Sequence, residues 1–91
     1  MQSATTATAV PAHHSFARLP AAIDQSGLSR STIYDLVQRG LFPPPIKAGP
    51  KLALWVRSEI SAWCAAQIAG KSEDDIKALI VSLVEARKDA A

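Results

Sequence analysis

The run Gly27-Leu28-Ser29-Arg30-Ser31-Thr32-Ile33-Tyr34-Asp35-Leu36-Val37-Gln38-Arg39-Gly40-Leu41-Phe42-Pro43 constrains this chain more than any other part of it. Gly27 permits a sharp turn, and Leu28 supplies an apolar plug. Ser29 suits a helix N-cap, because its hydroxyl can accept from the free N–H groups of the following turn. Ile33, Leu36 and Val37 fall at helical spacing on one face, leaving Arg30, Ser31, Thr32, Asp35 and Gln38 on the other. Gly40 fits the left-handed residue just past a helix end, and Pro43 forbids continuation. The spacing predicts a helix from Ser29 to Arg39 that buries one side and offers Arg, Ser, Thr and Gln from its N-terminal half. That is the shape of a DNA recognition helix.

The neighbouring segments fit the same scheme. Arg18 to Gln25 reads as a short helix with Pro20 tolerated in its first turn, and Ser26-Gly27-Leu28 as the turn of a helix-turn-helix. Leu41 to Pro45 is extended, since each proline pushes its predecessor out of the α region. Ile46 to Val56 then predicts a small hairpin, a wing, with Gly49-Pro50 at the bend and Leu52, Leu54 and Val56 alternating along the second arm. Lys47 and Lys51 straddle its tip, where they can meet a phosphate backbone or a minor groove. Ser58 is expected to cap a helix running from Glu59 to about Ala69, with Ile60, Trp63, Cys64 and Gln67 inward and Glu59 at its positively polarised start. A last helix opens on Ser72-Glu73-Asp74-Asp75 and ends on Arg87-Lys88, both matched to the helix dipole. Along it Ile76, Leu79, Ile80, Leu83 and Val84 form a continuous apolar stripe.

The fold class is therefore mainly α with a small β-hairpin. It comprises a flexible N-terminal arm (1–16), a winged helix-turn-helix (17–69) and a C-terminal amphipathic helix (70–91). Ninety-one residues make one small domain, near the lower limit for a self-supporting core. Hydrophobic residues are 48% of the chain, but many are alanines. The core must lean on Leu28, Ile33, Leu36, Phe42, Leu54, Trp55, Ile60 and Trp63. A single cysteine cannot form an internal disulfide, and no apolar run approaches the ~20 residues that span a bilayer. Met1 to Val10 lacks the basic start and apolar block of a signal peptide. A cytoplasmic, nucleoid-associated protein is expected. From Arg18 to Arg57 the net charge is +4, and over the remainder it is −2, so positive charge collects where phosphate contact is suspected.

Leu28-Ser29-x-Ser31-Thr32-Ile33-Tyr34, Gly40-x-Phe42-Pro43-x-Pro45-Ile46, Trp55, Ser58-Glu59-Ile60 and Trp63 together resemble the AlpA-type prophage regulators. These are small MerR-like winged-helix proteins of mobile elements, a group that includes excisionases (recombination directionality factors). The resemblance spans roughly Arg18 to Gln67. It implies that the second helix enters the major groove while the wing holds neighbouring backbone. It also implies a role in transcriptional control or in excision of an integrated element, where several copies bind side by side and bend DNA. Double-stranded DNA and further copies of the chain are the partners so implied, with a site-specific integrase as a candidate third. Ser29, Arg30, Ser31, Thr32, Tyr34, Gln38 and Arg39 fall on the recognition element, and Lys47 and Lys51 on the wing. Two departures stand out. Basic residues frequent in the family after the last shared tryptophan are replaced here by Cys64-Ala65-Ala66-Gln67, and the helix from Ser72 lies outside the shared region.

Other readings compete at single residues. The Tyr34 ring can pack on the core or send its hydroxyl to a phosphate. Trp55 and Trp63 are not interleaved with cations, as base-stacking residues would be, and read as core groups. Cys64 reads as a small buried hydrophobe, and His13-His14 lack a third metal ligand. No catalytic set, metal cluster or phosphate-cradling loop is present, so neither enzyme activity nor a cofactor is expected. The stripe Ile76, Leu79, Ile80, Leu83 and Val84 either covers its own domain or docks on another protomer, with self-association favoured. The rival from another class is a winged-helix protein-interaction module with little affinity for duplex DNA.

Overall fold

The computed structural model describes residues 15–89. Five short elements build the winged helix. They are β1 (Phe16–Ala17), α1 (Leu19–Ser26), α2 (Arg30–Gln38), β2 (Ile46–Gly49) and β3 (Leu52–Val56). Two helices follow, α3 (Arg57–Ile68) and α4 (Glu73–Ala86), and a single 3₁₀ turn, Arg87–Asp89, ends the described chain. The architecture is the mainly α winged helix-turn-helix expected. No described helix is long and apolar enough to cross a membrane.

The helix-turn-helix forms as its residues dictate. Pro20 sits in the first turn of α1, where its missing N–H costs nothing. Gly27 takes φ 76° and its N–H returns to Ile23 O at 2.8 Å, so the chain reverses within one residue. Ser29 caps α2, accepting from the Thr32 N–H at 3.3 Å. At the far end Gly40 takes φ 74°, its N–H bonding Val37 O at 3.1 Å while the Leu41 N–H bonds Leu36 O at 2.8 Å. This paired closure satisfies the last carbonyls of α2 and turns the chain inward. Leu41, Phe42 and Pro43 are all buried as a result.

The sheet has three antiparallel strands in the order β1-β3-β2. Its first strand is a correction. Phe16, assigned to the N-terminal arm, pairs with Val56, and Ala17 with Trp55. The Ala17 side chain is completely buried, a position that rewards its small size. His13 and His14 lie outside the described residues. Along β3 the expected alternation of Leu52, Leu54 and Val56 holds, but Leu54 is not among the core groups. Trp55 and Ala53 point into the core, whereas Leu52, Leu54 and Val56 occupy the opposite, half-exposed face. Phe16 and Ile46 share that outer face through their pairing with Val56 and Leu54. A cleft of about 290 Å³ runs between it and the end of α4, lined by Phe16, Ile46, Val56, Leu83 and Arg87 among others.

Ile33, Phe42, Trp55, Ile60 and Trp63 form the centre of the core, with Leu28 and Leu36 packed half-buried around it. Phe42 meets Trp63 edge to face, with centroids 5.0 Å apart. The Trp63 indole N–H donates to Leu41 O at 2.8 Å. The fully buried Trp55 finds no hydrogen-bond acceptor for its indole N–H among the described residues, and its ring is held by packing. Burying such a ring stabilises the fold by about 4–6 kcal/mol as an upper estimate.

Ser58 is not the cap of α3. β3 runs into the helix without a loop, the N-cap is Val56, and no side chain caps it. Gln67, placed inward by spacing, is exposed, because α3 outruns the core in its last turn. Ser72 does cap α4, accepting from the Asp75 N–H at 3.1 Å. The α4 stripe turns toward its own chain. Ile76 and Ile80 are buried in the common core and Leu83 packs against it, while Leu79 is half-buried and Val84 stays 36% exposed. Ile76 and Ile80 are thus unavailable to another protomer in this conformation, and Val81, outside the stripe, is the more exposed apolar group at 64%.

A buried ion pair secures the end of α4. Glu59, in the first turn of α3, is 5% exposed. Both of its carboxylate oxygens accept from Arg87, at 2.6 and 2.8 Å, and Arg87 donates also to Pro44 O at 2.7 Å. The bond to Glu59 raises the Arg87 pKa, although partial burial opposes it. Glu59 lies in the first turn of α3 and Arg87 at the end of α4, as the helix-dipole reading expects, and together they also tie the last turn to α3 and to the proline loop.

Candidate nucleic-acid interface

The exposed side of α2 is built by what its other side buries. Ile33 is fully enclosed and Leu36 and Val37 pack at the core edge, which leaves Ser29, Arg30, Ser31, Thr32, Gln38 and Arg39 in solvent. The three hydroxyls form one cluster. Ser29 Oγ donates to Thr32 Oγ1 at 2.9 Å and lies 3.5 Å from Ser31 Oγ. They sit beside the first-turn N–H groups, where the helix dipole is positive, and Arg30 adds a full charge. α4 does not mask this edge; among the described residues its polar tie to α2 is at the opposite end, between Glu73 and Arg39.

Of its two readings, Tyr34 shows the packing of its ring on the core. Its ring meets the Trp55 indole edge to face at 6.1 Å and 69°, yet 39% of the residue remains exposed. The Arg30 guanidinium carbon lies 6.0 Å from the Tyr34 ring centroid. Arg39 is less free than its position suggests. It bonds Asp35 at 3.3 Å and Glu73, at the start of α4, at 3.4 Å. Both pairs are exposed, so each contributes at most about 1 kcal/mol.

On the wing, Lys47 and Lys51 are exposed beside the turn at Pro50–Lys51, and neither forms an ion pair with a described residue. The ladder between β2 and β3 slips between Lys47 and Gly49, a bulge that bends the tip. The Tyr34–Trp55 contact joins α2 to β3 and so ties the wing to that helix. Arg57, unremarked in the sequence, is an anchor of a different kind: its Nε donates to Phe16 O at 3.2 Å and its N–H to Ser15 O at 3.0 Å, holding β1 in place.

Residues 15–68 match the family model described as "Prophage CP4-57 regulatory protein (AlpA)". The chain belongs to the AlpA family. It is also similar to "Uncharacterized protein ORF88" of Enterobacteria phage P4, with 48% identity over 56 residues, which is 62% of this chain and 64% of that relative. No solved structure matches. The chain spans somewhat less than two thirds of that relative's length. The match ends at the close of α3, so α4 and the Arg87 tie lie beyond the part the family describes.

Proposed function

We propose that this AlpA-family protein reads duplex DNA through α2 and its wing and acts as an excisionase of a bacterial mobile element. Arg30, Ser31 and Thr32 face base edges in the major groove; Ser29, Gln38 and Arg39 meet its walls, and Lys47 and Lys51 hold the flanking phosphates. The observation that carries this reading is the exposed Arg-hydroxyl edge at the N-terminal turn of α2, on a helix whose opposite side is locked by Ile33. So small a reader covers few base pairs, so copies bind repeated sites side by side, touching through the wing or the outward part of α4 at Val81 and Val84. Cooperative binding, bending of DNA and partnership with an integrase belong to the excisionase reading, as does a cytoplasmic location on the nucleoid.

Footprinting over the attachment site and nearby promoters of the host element tests it. Spaced protection within the attachment site is the expected result, and protection of promoters alone would instead make the protein a transcription regulator. Titration of random duplex over a salt series tests the DNA reading itself. Lys47→Gln and Lys51→Gln are each expected to lower the salt slope by about one unit, and Arg30→Ala to relax base preference as well. Negligible duplex affinity at moderate salt would point to a protein partner instead.

A further inference from the structure

The geometry points to Tyr34 as a positioning residue that sets the Arg30 guanidinium for base readout, an inference that rests on the DNA reading above. Three groups stand in a row. Trp55 is wholly buried on the inner strand of the wing, Tyr34 meets it edge to face at 6.1 Å, and Arg30 lies 6.0 Å from the centre of the Tyr34 ring. The i, i+4 spacing of Arg30 and Tyr34 places the two side chains on adjacent turns of one helix face.

The arrangement has a physical purpose. Pairing of arginine with guanine needs both N–H forks in one plane and at one height above the groove. A free arginine on a surface helix samples many rotamers, and that freedom is lost when it binds. A tyrosine ring packed edge to face with a buried indole offers the guanidinium an electron-rich face before DNA arrives. Since Trp55 belongs to β3, the same contact ties the aim of Arg30 to the wing. Gripping of phosphate by Lys47 and Lys51 and reading of bases by Arg30 then share one frame.

The test uses the full chain and a duplex selected by the wild type from a random library, with a scrambled duplex as reference. Tyr34→Leu is expected to lower the ratio of selected to scrambled affinity by about two- to fivefold, the worth of an exposed cation–aromatic contact. Its salt slope stays at the wild-type value, because no charge is lost. Tyr34→Phe keeps the ratio, since it keeps the ring. In an Arg30→Ala background Tyr34→Leu changes the ratio no further. Circular dichroism confirms folding, and Tyr34→Met, which fills space against Trp55 without an aromatic face, replaces the leucine variant if that one is unfolded. An equal effect of Tyr34→Leu in both backgrounds overturns the positioning role, and so does a phenylalanine variant as poor as the leucine one. A wild type that selects no duplex overturns the DNA reading, and the positioning role with it.

Discussion

Replacing Arg87 with alanine should damage this fold far more than loss of a charge from a helix end normally would. The change strands the Glu59 carboxylate, which is 5% exposed and draws both of its side-chain hydrogen bonds from Arg87. It also removes the donor to Pro44 O. Breaking a buried ion pair by deleting one partner costs about 3–5 kcal/mol. The Arg87 side chain keeps 24% exposure, so water can follow it into the gap, and about 2–3 kcal/mol is the appropriate range. For a domain of this size that lowers Tm by roughly 8–24 °C. Thermal and urea unfolding followed by tryptophan fluorescence measure it directly. Glu59→Gln in the Arg87→Ala background should restore part of the loss, since an amide is cheaper to bury than an unpaired carboxylate. The Arg87 pKa is raised in the folded state, so its stabilisation is complete below its unfolded value and fades only in strong alkali. The difference between wild type and Arg87→Ala should therefore be the same at pH 7 and pH 9. A loss below about 0.5 kcal/mol, or no recovery in the double variant, would refute the reasoning, since a surface pair behaves that way.

Two further changes probe the elements that carry the site. Ser29→Ala removes the acceptor for the Thr32 N–H and should cost about 1 kcal/mol, read as a lower urea midpoint at unchanged slope. Ile80→Ala opens a cavity in the core and should cost about 2–4 kcal/mol in the same assay, whereas a value near zero would mean that α4 does not pack on its own chain. By the same logic, deletion of residues 72–91 removes Ile76, Ile80 and Arg87 together and should unfold the winged helix, so it cannot cleanly separate cooperativity from binding.

Local chemistry made the helix-turn-helix legible. The Ser29 cap, the turn at Gly27, the stop at Gly40 and the Ser72 cap each depend on one residue acting within five positions, and all four form as their sequence implies. What escaped is non-local or ambiguous. Leu52-Ala53-Leu54-Trp55-Val56 is apolar at every position, so period-two alternation could not choose a face; the bulk of Trp55 decided it. A two-residue strand such as Phe16–Ala17 exists only because β3 lies beside it, and nothing in its own composition announces it. Ser58 resembles a cap in isolation, but a strand entering the helix directly leaves no position for one. An apolar stripe shows that α4 must be covered but not by what. The Glu59–Arg87 pair spans 28 positions, so neither residue's neighbours hint at the other. Within the candidate interface, exposure of α2 followed from its spacing, whereas the contact of Tyr34 with both Arg30 and Trp55 needed the folded wing.

That span has a consequence for synthesis. Glu59 leaves the ribosome 28 residues ahead of Arg87, which at ordinary elongation rates is roughly one to six seconds. During that interval the acid lacks its later partner and Pro44 O its donor, while Trp63 already serves to hold Leu41 and Phe42. The nascent winged helix is accordingly complete in outline yet unfinished, and its final turn is the piece that closes it.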